Sequence, residues 1–369
     1  DQPQFPTSKL ETYQRACATL VQEHNPAHVA ASGHVLLTDA QVLQAAGYLC
    51  AVMLLSGSSS IAKQPGQQHP AHVMVLRTLL ANHQNAPTLE ACQVAIETKL
   101  FAGTGSGCFV PRHRTVAEYL AASYVAQRLQ TGLPLSRVLA LMQGNDGGVV
   151  PALRGLHAWL AVAAGAQVRE NLIARDPLGL VLHGDVRDFS ATEKVRLLAA
   201  LKEEATRDPH FRSQNWTSQP FGALGTPDMQ PQFQAMLRSP DRSPAHLAVL
   251  DCVLDAMRHG HVMPALAPEL EQVARDKTYW EGLRKTALIT LCSDEPSEKC
   301  IPTLQQLLKD IGTGKVEDRD MELRGVLLRH LYPRDMTATE LWRWYVPIKS
   351  GFLGEYWRFW HDLPRQSAS

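Results

Sequence analysis

Apolar positions along the chain recur mostly at intervals of three and four residues, the period of an amphipathic helix. Val116, Tyr119, Leu120 and Tyr124 fall on one face of a helix after Thr115. Leu153, Leu156, Trp159 and Leu160 do the same after Pro151, which suits a first helical turn because its missing N–H is not needed there. Helix starts are marked by hydroxyl residues followed three positions later by Glu or Gln: Ser8/Glu11, Thr38/Gln41, Thr115/Glu118, Ser190/Glu193 and Thr337/Glu340. In such a capping box the hydroxyl takes a first-turn N–H and the N3 side chain returns to the cap. One stretch breaks the helical period. Leu100-Phe-Ala, a glycine-rich tip from Gly103 to Gly107, and Cys108-Phe-Val read as a β-hairpin. It follows helical stretches at about 38–56, 72–84 and 88–98, and three helices followed by a hairpin describe a winged helix.

The last third is repetitive. Ala245, Leu250 and Val253 are matched 38 residues on by Leu283, Leu288 and Leu291, and 40 residues further by Leu323, Leu328 and Leu331. Breaks fall near Pro240, Gly260, Pro296 and Gly312-Thr-Gly314. A period near 40 with paired helices is the signature of HEAT-like repeats. The expected fold is therefore mainly α: a helical segment at 1–36, a winged-helix domain at 37–113, a helical domain at 114–210, and a HEAT-like solenoid at 211–369 with an aromatic C-terminal cap.

Composition narrows the possibilities. Lys+Arg and Asp+Glu are both 36, so the formal net charge is zero, and the basic surplus usual in nucleic-acid binders is absent. Charge is unevenly spread. Only eleven charged residues precede Val110, which predicts that the first third buries much of its surface against a neighbour. The seven cysteines form no C-x-x-C pair, which points to a reducing, cytoplasmic setting. The longest apolar run, Ala45 to Leu55, contains Gly47 and is short for a bilayer span. The chain starts at Asp1 rather than Met and reads as a fragment or processed form.

Catalytic signatures do not assemble. Gly312-Thr-Gly314-Lys315 has Lys309 where a Walker A glycine belongs and Val316 where a magnesium-binding hydroxyl belongs. Gly103-x-Gly105-x-Gly107 has the wrong spacing for a dinucleotide fingerprint and reads as a turn. His24/His28, His69/His72 and His259/His261 lack further ligands at metal spacing. His183 to Asp188 reads as a turn ahead of a helix cap rather than an acid–base cluster. No enzyme activity, metal or cofactor is expected from this chain itself. The C-terminal segment differs in kind: Trp342, Trp344, Tyr345, Phe352, Tyr356, Trp357, Phe359 and Trp360 lie close together, with Arg343, Lys349 and Arg358 interleaved. They fit either a cap burying bulky rings or a recognition surface, where Trp, Tyr and Arg dominate binding energy. Trp342, Trp344, Tyr345, Tyr356, Trp357 and Trp360 are the candidate partner-binding residues.

Phe109-Val-Pro-Arg-His113-Arg-Thr-Val-Ala-Glu118-Tyr-Leu-Ala-Ala122 resembles the F-x-H-x-(S/T)-F-Q-E-(F/Y)-(L/F)-A-A signature of NACHT-type STAND ATPases. Ser8 to Tyr13, Ala45 to Ser56, Val150 to Leu160 and Asp176 to Asp185 are similar to flanking regions of bacterial members, so the resemblance spans roughly 8–205. Val116 and Ala117 stand where Phe and Gln are usual, and no Walker A lysine or Walker B acidic run is present. The resemblance implies a winged helix folded over a nucleotide, with Arg112 and His113 facing ATP or ADP and Mg held by an ATPase module in cis. It also implies helical repeats that sense a protein trigger, in a class whose bacterial members act in antiviral defence. Two other readings remain open on the residues. One is a winged-helix DNA-binding regulator with a ligand-sensing domain, although its recognition helix, Thr88 to Thr98, carries Glu90 and Glu97 and no arginine. The other is a free-standing HEAT-like adaptor.

Overall fold

Several helix starts in the structure follow hydroxyl caps, because a first-turn N–H left without an acceptor is costly to bury. The structure is a computed structural model that describes residues 5–22, 37–64, 70, 72–81, 86–104, 107–292, 300–347 and 353–366. Thr38 and Thr337 form complete capping boxes with Gln41 and Glu340. Ser190 and Glu193 exchange the same pair of bonds. At Ser8 half the box forms: its hydroxyl accepts from the Glu11 N–H, while the Glu11 carboxylate turns to Thr7 instead. The box expected at Thr115 does not form. The helix starts two residues earlier, with His113 at the cap and Arg114 as its first residue, so Glu118 lies inside its first turns, buried and accepting from Arg114 Nε at 2.9 Å.

The chain is mainly helical with one small four-stranded sheet, and it divides into two units, 1–197 and 198–369. In the first unit, α1 (Lys9–Val21) is followed by α2 (Asp39–Ser56), strands β1 (Ser60–Ala62) and β2 (Val73–Val75), α3 (Leu76–Leu80) and α4 (Leu89–Glu97). Then come β3 (Phe101–Gly103), β4 (Cys108–Pro111), α5 (Arg114–Gln130), α6 (Leu135–Met142), α7 (Arg154–Ala163), α8 (Ala166–Ile173), α9 (Pro177–His183) and α10 (Ala191–Arg207), within which the units divide. The expected hairpin is β3–β4, antiparallel with Ala102 opposite Val110. Its sheet is wider than a hairpin. The order is β2-β1-β4-β3, with β1 parallel to β2 and antiparallel to β4. The helix expected over 72–84 is corrected accordingly. Val73-Met-Val75 is extended, since β-branched residues favour a strand when a neighbour is there to pair with, and only Leu76–Leu80 is helical.

The core of this unit is a row in which α2 packs between α4 and α5, α5 between α2 and α7, and α7 between α5 and α9. Gly47 explains itself here: a Cβ would stand 2.8 Å from the Leu120 carbonyl oxygen, so the apolar run of α2 needs a glycine to approach α5. Over its 18 residues α2 is long and apolar enough to cross a bilayer, but half of it is buried in this row and Ala45, Ala46 and Leu49 are wholly enclosed, as a core helix requires. Helix α1 is part of the same unit. Tyr13 packs against Tyr119 and Trp159 at 5.6 and 4.8 Å, and the Asp185 carboxylate accepts the Leu10 N–H at 2.8 Å.

In the second unit α11 (Gln230–Leu237), α12 (Pro244–His259), α13 (Ala267–Arg275), α14 (Glu281–Leu291), α15 (Ile301–Gly312), α16 (Glu322–Leu331), α17 (Ala338–Trp342) and α18 (Glu355–Gln366) follow one another. Helices α12, α14, α16 and α18 pack in succession, while α13 and α15 pack against α14 and α16 respectively. The three repeated apolar triplets lie on α12, α14 and α16, and all nine side chains are buried. Neighbouring helix pairs are also joined by ion pairs: Lys202–Asp241, Arg238–Glu269, Arg242–Asp276, Arg275–Asp310 and Lys285–Glu322. An aspartate turn recurs with them, as Asp208, Asp241 and Asp276 each accept the N–H two residues on at 2.8 Å.

Candidate functional site

The C-terminal aromatics divide into two groups. Helix α18 lies on α16, held by the Glu355 N–H donating to Glu322 Oε1 at 2.7 Å and by Arg329 pairing with Glu355 at 3.1 Å. This seats Tyr356 and Phe359 at 1% and 2% exposure. The Tyr356 hydroxyl is taken up by the chain, accepting from the Val346 N–H at 2.7 Å and lying 3.1 Å from the Val346 carbonyl. Tyr356 is therefore a structural cap and is corrected as a partner-binding residue, because burial leaves no surface to offer. Trp344 is half-buried over Gly312, where a Cβ would meet its ring at 2.5 Å. Trp357 stacks on His361 at 4.6 Å. Trp342, Tyr345 and Trp360 form the other group, with ring centroids 5.1 to 5.8 Å apart, and Trp342 and Tyr345 remain 63% and 47% exposed. Phe352 and Lys349 lie outside the described residues.

Arg112 and His113 are both exposed at the junction of β4 and α5. The Arg112 N–H donates to the Leu100 carbonyl at 2.9 Å, and His113 occupies the cap position of α5 without a side-chain cap bond. Glu118, within the signature-like segment, faces the backbone of Gly155 on α7, where a Cβ would collide with its carboxylate. It is thus a helix–helix contact. Burial raises its pKa although Arg114 opposes the shift.

The remaining sequence candidates are structural. Gly314 turns the chain at φ +76°, and the N–H groups of Lys315 and Val316 both go to the Asp310 carbonyl, so no free nest is left for a phosphate. His24, His28, His69 and Gly105 lie outside the described residues. His259 Nε2 is 2.9 Å from the Ser218 hydroxyl. Asp185 serves α1, as above, and Asp188 is exposed. Among the described residues no group of three or more His, Cys, Asp or Glu is placed to hold a metal ion. The cysteines are free, and all but Cys300 are buried. Burial pushes Cys17 up to about 11 and Cys92, Cys252 and Cys292 up to about 12, which leaves them poor nucleophiles.

Sequence reasoning missed two charged centres, because their partners are far apart in the chain. Arg212 is buried between Asp251 and Asp255 at 3.0 and 2.6 Å, with its guanidinium 4.4 Å from the Phe221 ring. In the first unit, Arg154 forms a two-bond pair with Asp176, which also caps α9 through the Gly179 N–H. Beside them His157 is fully buried, and neither ring nitrogen has a partner among the described residues.

Burial pushes His157 down to about 4, with Asp176 opposing and Arg175 and Arg154 assisting. A folded pKa below the ordinary 6.5 means that, between those values, the unfolded chain takes up a proton that the folded one refuses. This contribution to stability is complete above pH 6.5 and is lost as pH falls, by about 2 kcal/mol between pH 7.5 and pH 5. A His157→Leu variant is expected to remove that increment. Urea unfolding at the two pH values measures it, and an unchanged difference would refute the assignment. Comparison with family models, curated proteins and solved structures gave no match to this chain.

Proposed function

We propose that the chain is the non-catalytic regulatory and sensor portion of a NACHT-type STAND ATPase of the antiviral defence class, working in the cytoplasm. In this reading the first unit, winged-helix-like at 37–113, docks on an ATPase module in cis that carries ATP or ADP and Mg. The second unit, a HEAT-like array, recognises a protein trigger. The observation that carries the reading is the Trp342–Tyr345–Trp360 cluster, with two large rings open to solvent on the helical array. Exposed Trp and Tyr held by ring contacts offer contact area at little entropic cost. The signature-like segment from Phe109 to Ala122 supports the placement beside an ATPase, and the low charge of the first third supports a covering partner.

The test is made on the complete reading frame to which the chain belongs. It is expected to encode a Walker A and Walker B module before Asp1, and to protect bacteria in a phage plating assay. A Trp342→Ser/Tyr345→Ser variant is expected to lose protection while melting at the wild-type temperature. A reading frame without an ATPase module, or full protection by the variant, overturns the proposal.

A further inference from the structure

A cleft of about 690 Å³ opens in the second unit between Arg275–Lys277, the loop from Gly314 to Arg319, and Arg324 in the first turn of α16. Ile311 and Val316 give it a buried apolar wall. Five cations line it against three acids, and each acid already has its own partner. Asp276 accepts from Arg242 at 3.0 Å, Glu317 pairs with Arg319, and Asp318 accepts the backbone N–H groups of Leu323 and Arg324 at 3.1 and 2.9 Å. Of the cations, Arg275 is committed to Asp310 and Glu271. Lys315 approaches Asp310 only at 3.9 Å and is 73% exposed. The Lys277 side chain makes no hydrogen bond or ion pair among the described residues; the Arg324 guanidinium is felt by the nearby Asp318 carboxylate but makes no side-chain hydrogen bond there, and its Nε is shielded from water as well.

A shielded guanidinium N–H without an acceptor is an unusual expense for a fold to carry, since buried polar groups are normally satisfied. Beside Lys277, which has no partner among the described residues, and Lys315, whose one pairing is a loose 3.9 Å approach to Asp310, it marks a place where an anion completes the structure. We propose that this cleft binds a phosphate-bearing small molecule, with Arg324 as the fork at its base and Lys277 and Lys315 at its rim. Three cations around one space match a dianion better than a single carboxylate, and a guanidinium engages two phosphate oxygens at once. The volume lies within the range of small-molecule sites. This inference rests on the cleft alone and stands whether or not the aromatic cluster binds a protein.

Calorimetric titration of the whole chain at low salt, with inorganic phosphate, pyrophosphate and a magnesium-free nucleoside triphosphate as probes, tests it. Saturable binding at one site is expected. Arg324→Gln and Lys277→Gln are each expected to weaken it by about tenfold or more, the scale of one charge-assisted bond, while Arg187→Gln, in the other unit, leaves it unchanged. Tighter binding of the triphosphate than of pyrophosphate assigns the site to a nucleotide, and equal binding assigns it to the phosphate group alone. If Arg324→Gln does not fold, the exposed Lys277→Gln and Lys315→Gln variants decide. No saturable binding of any probe, or binding unchanged in these variants, overturns the proposal.

Discussion

Replacing Arg212 by alanine is expected to destabilise the second unit by about 3–5 kcal/mol, the usual cost of removing one partner from a buried ionic group. Arg212 is only 5% exposed and bridges Asp251 and Asp255, so its loss leaves two largely buried carboxylates with no cation to balance them. The native environment is already hard on Asp251: burial pushes it up to about 6 despite the neighbouring arginine. Without Arg212, Asp251 loses the charge that opposes this upward shift, so the deficit has a definite sign with pH. A carboxyl whose folded pKa exceeds its unfolded value is stabilising below the unfolded pKa, and that stability is lost as pH rises through the folded value. The gap between variant and wild type is therefore expected to be wide at pH 7.5 and narrower at pH 5. The His157 effect acts in both chains and cancels in the difference. Arg212→Lys is expected to recover only part, since an ammonium cannot span two carboxylates and stack on Phe221 as a planar fork does. Urea unfolding of the three chains at both pH values measures this. A deficit independent of pH would mean that lost packing, not unpaired charge, is responsible.

That centre also shows where the sequence stops being legible. What local chemistry decides could be read directly. The caps at Thr38, Ser190 and Thr337 form because hydroxyl and acid lie three residues apart, and the β3–β4 hairpin forms because its strands are joined by a short glycine-rich tip. The repeated triplets could be read because a period of about 40 residues returns the same positions to the same face. The failures share one cause, which is partners distant in sequence. Val73 to Val75 is equally compatible with a helix until β1 lies beside it. Glu118 has the spacing of a capping acid, yet the approach of α7 through Gly155 makes it a buried contact. Arg212, in the turn after α10, finds its acids on α12, and the cleft around Arg324 is assembled from the ends of α13, α15 and α16 and the loops beside them. The aromatic run was legible as a cluster but not in its division, because which rings are covered depends on how α18 meets α16.

That meeting depends on Gly325, and a Gly325→Leu substitution is expected to detach α18 altogether. A Cβ at this position would run into the backbone nitrogen of Tyr356 and the carbonyl carbon of Glu355, and would lie 2.6 Å from the Tyr356 Cα. The obstacle is main chain on both sides, so no rotamer change relieves it, and a leucine adds three more carbons to place. Helix α18 must therefore move away from α16. Its departure gives up the burial of Tyr356 and Phe359, worth roughly 3–6 kcal/mol together, along with the bond from the Glu355 N–H to Glu322. The same event dismantles the exposed cluster, since Trp360 rides on α18 while Trp342 and Tyr345 do not. Tryptophan fluorescence is thus expected to shift to the red with most of the helical circular dichroism kept, because α12, α14 and α16 still pack through their own triplets. Gly165→Ala is the matched control, as nothing lies within 4 Å of the added carbon, and it is expected to change neither signal. Helix α18 supplies the cap through Tyr356 and Phe359 and one ring of the candidate surface through Trp360, so a Gly325→Leu chain that melts like the wild type, with unshifted fluorescence, would show that α18 is not held where these contacts place it.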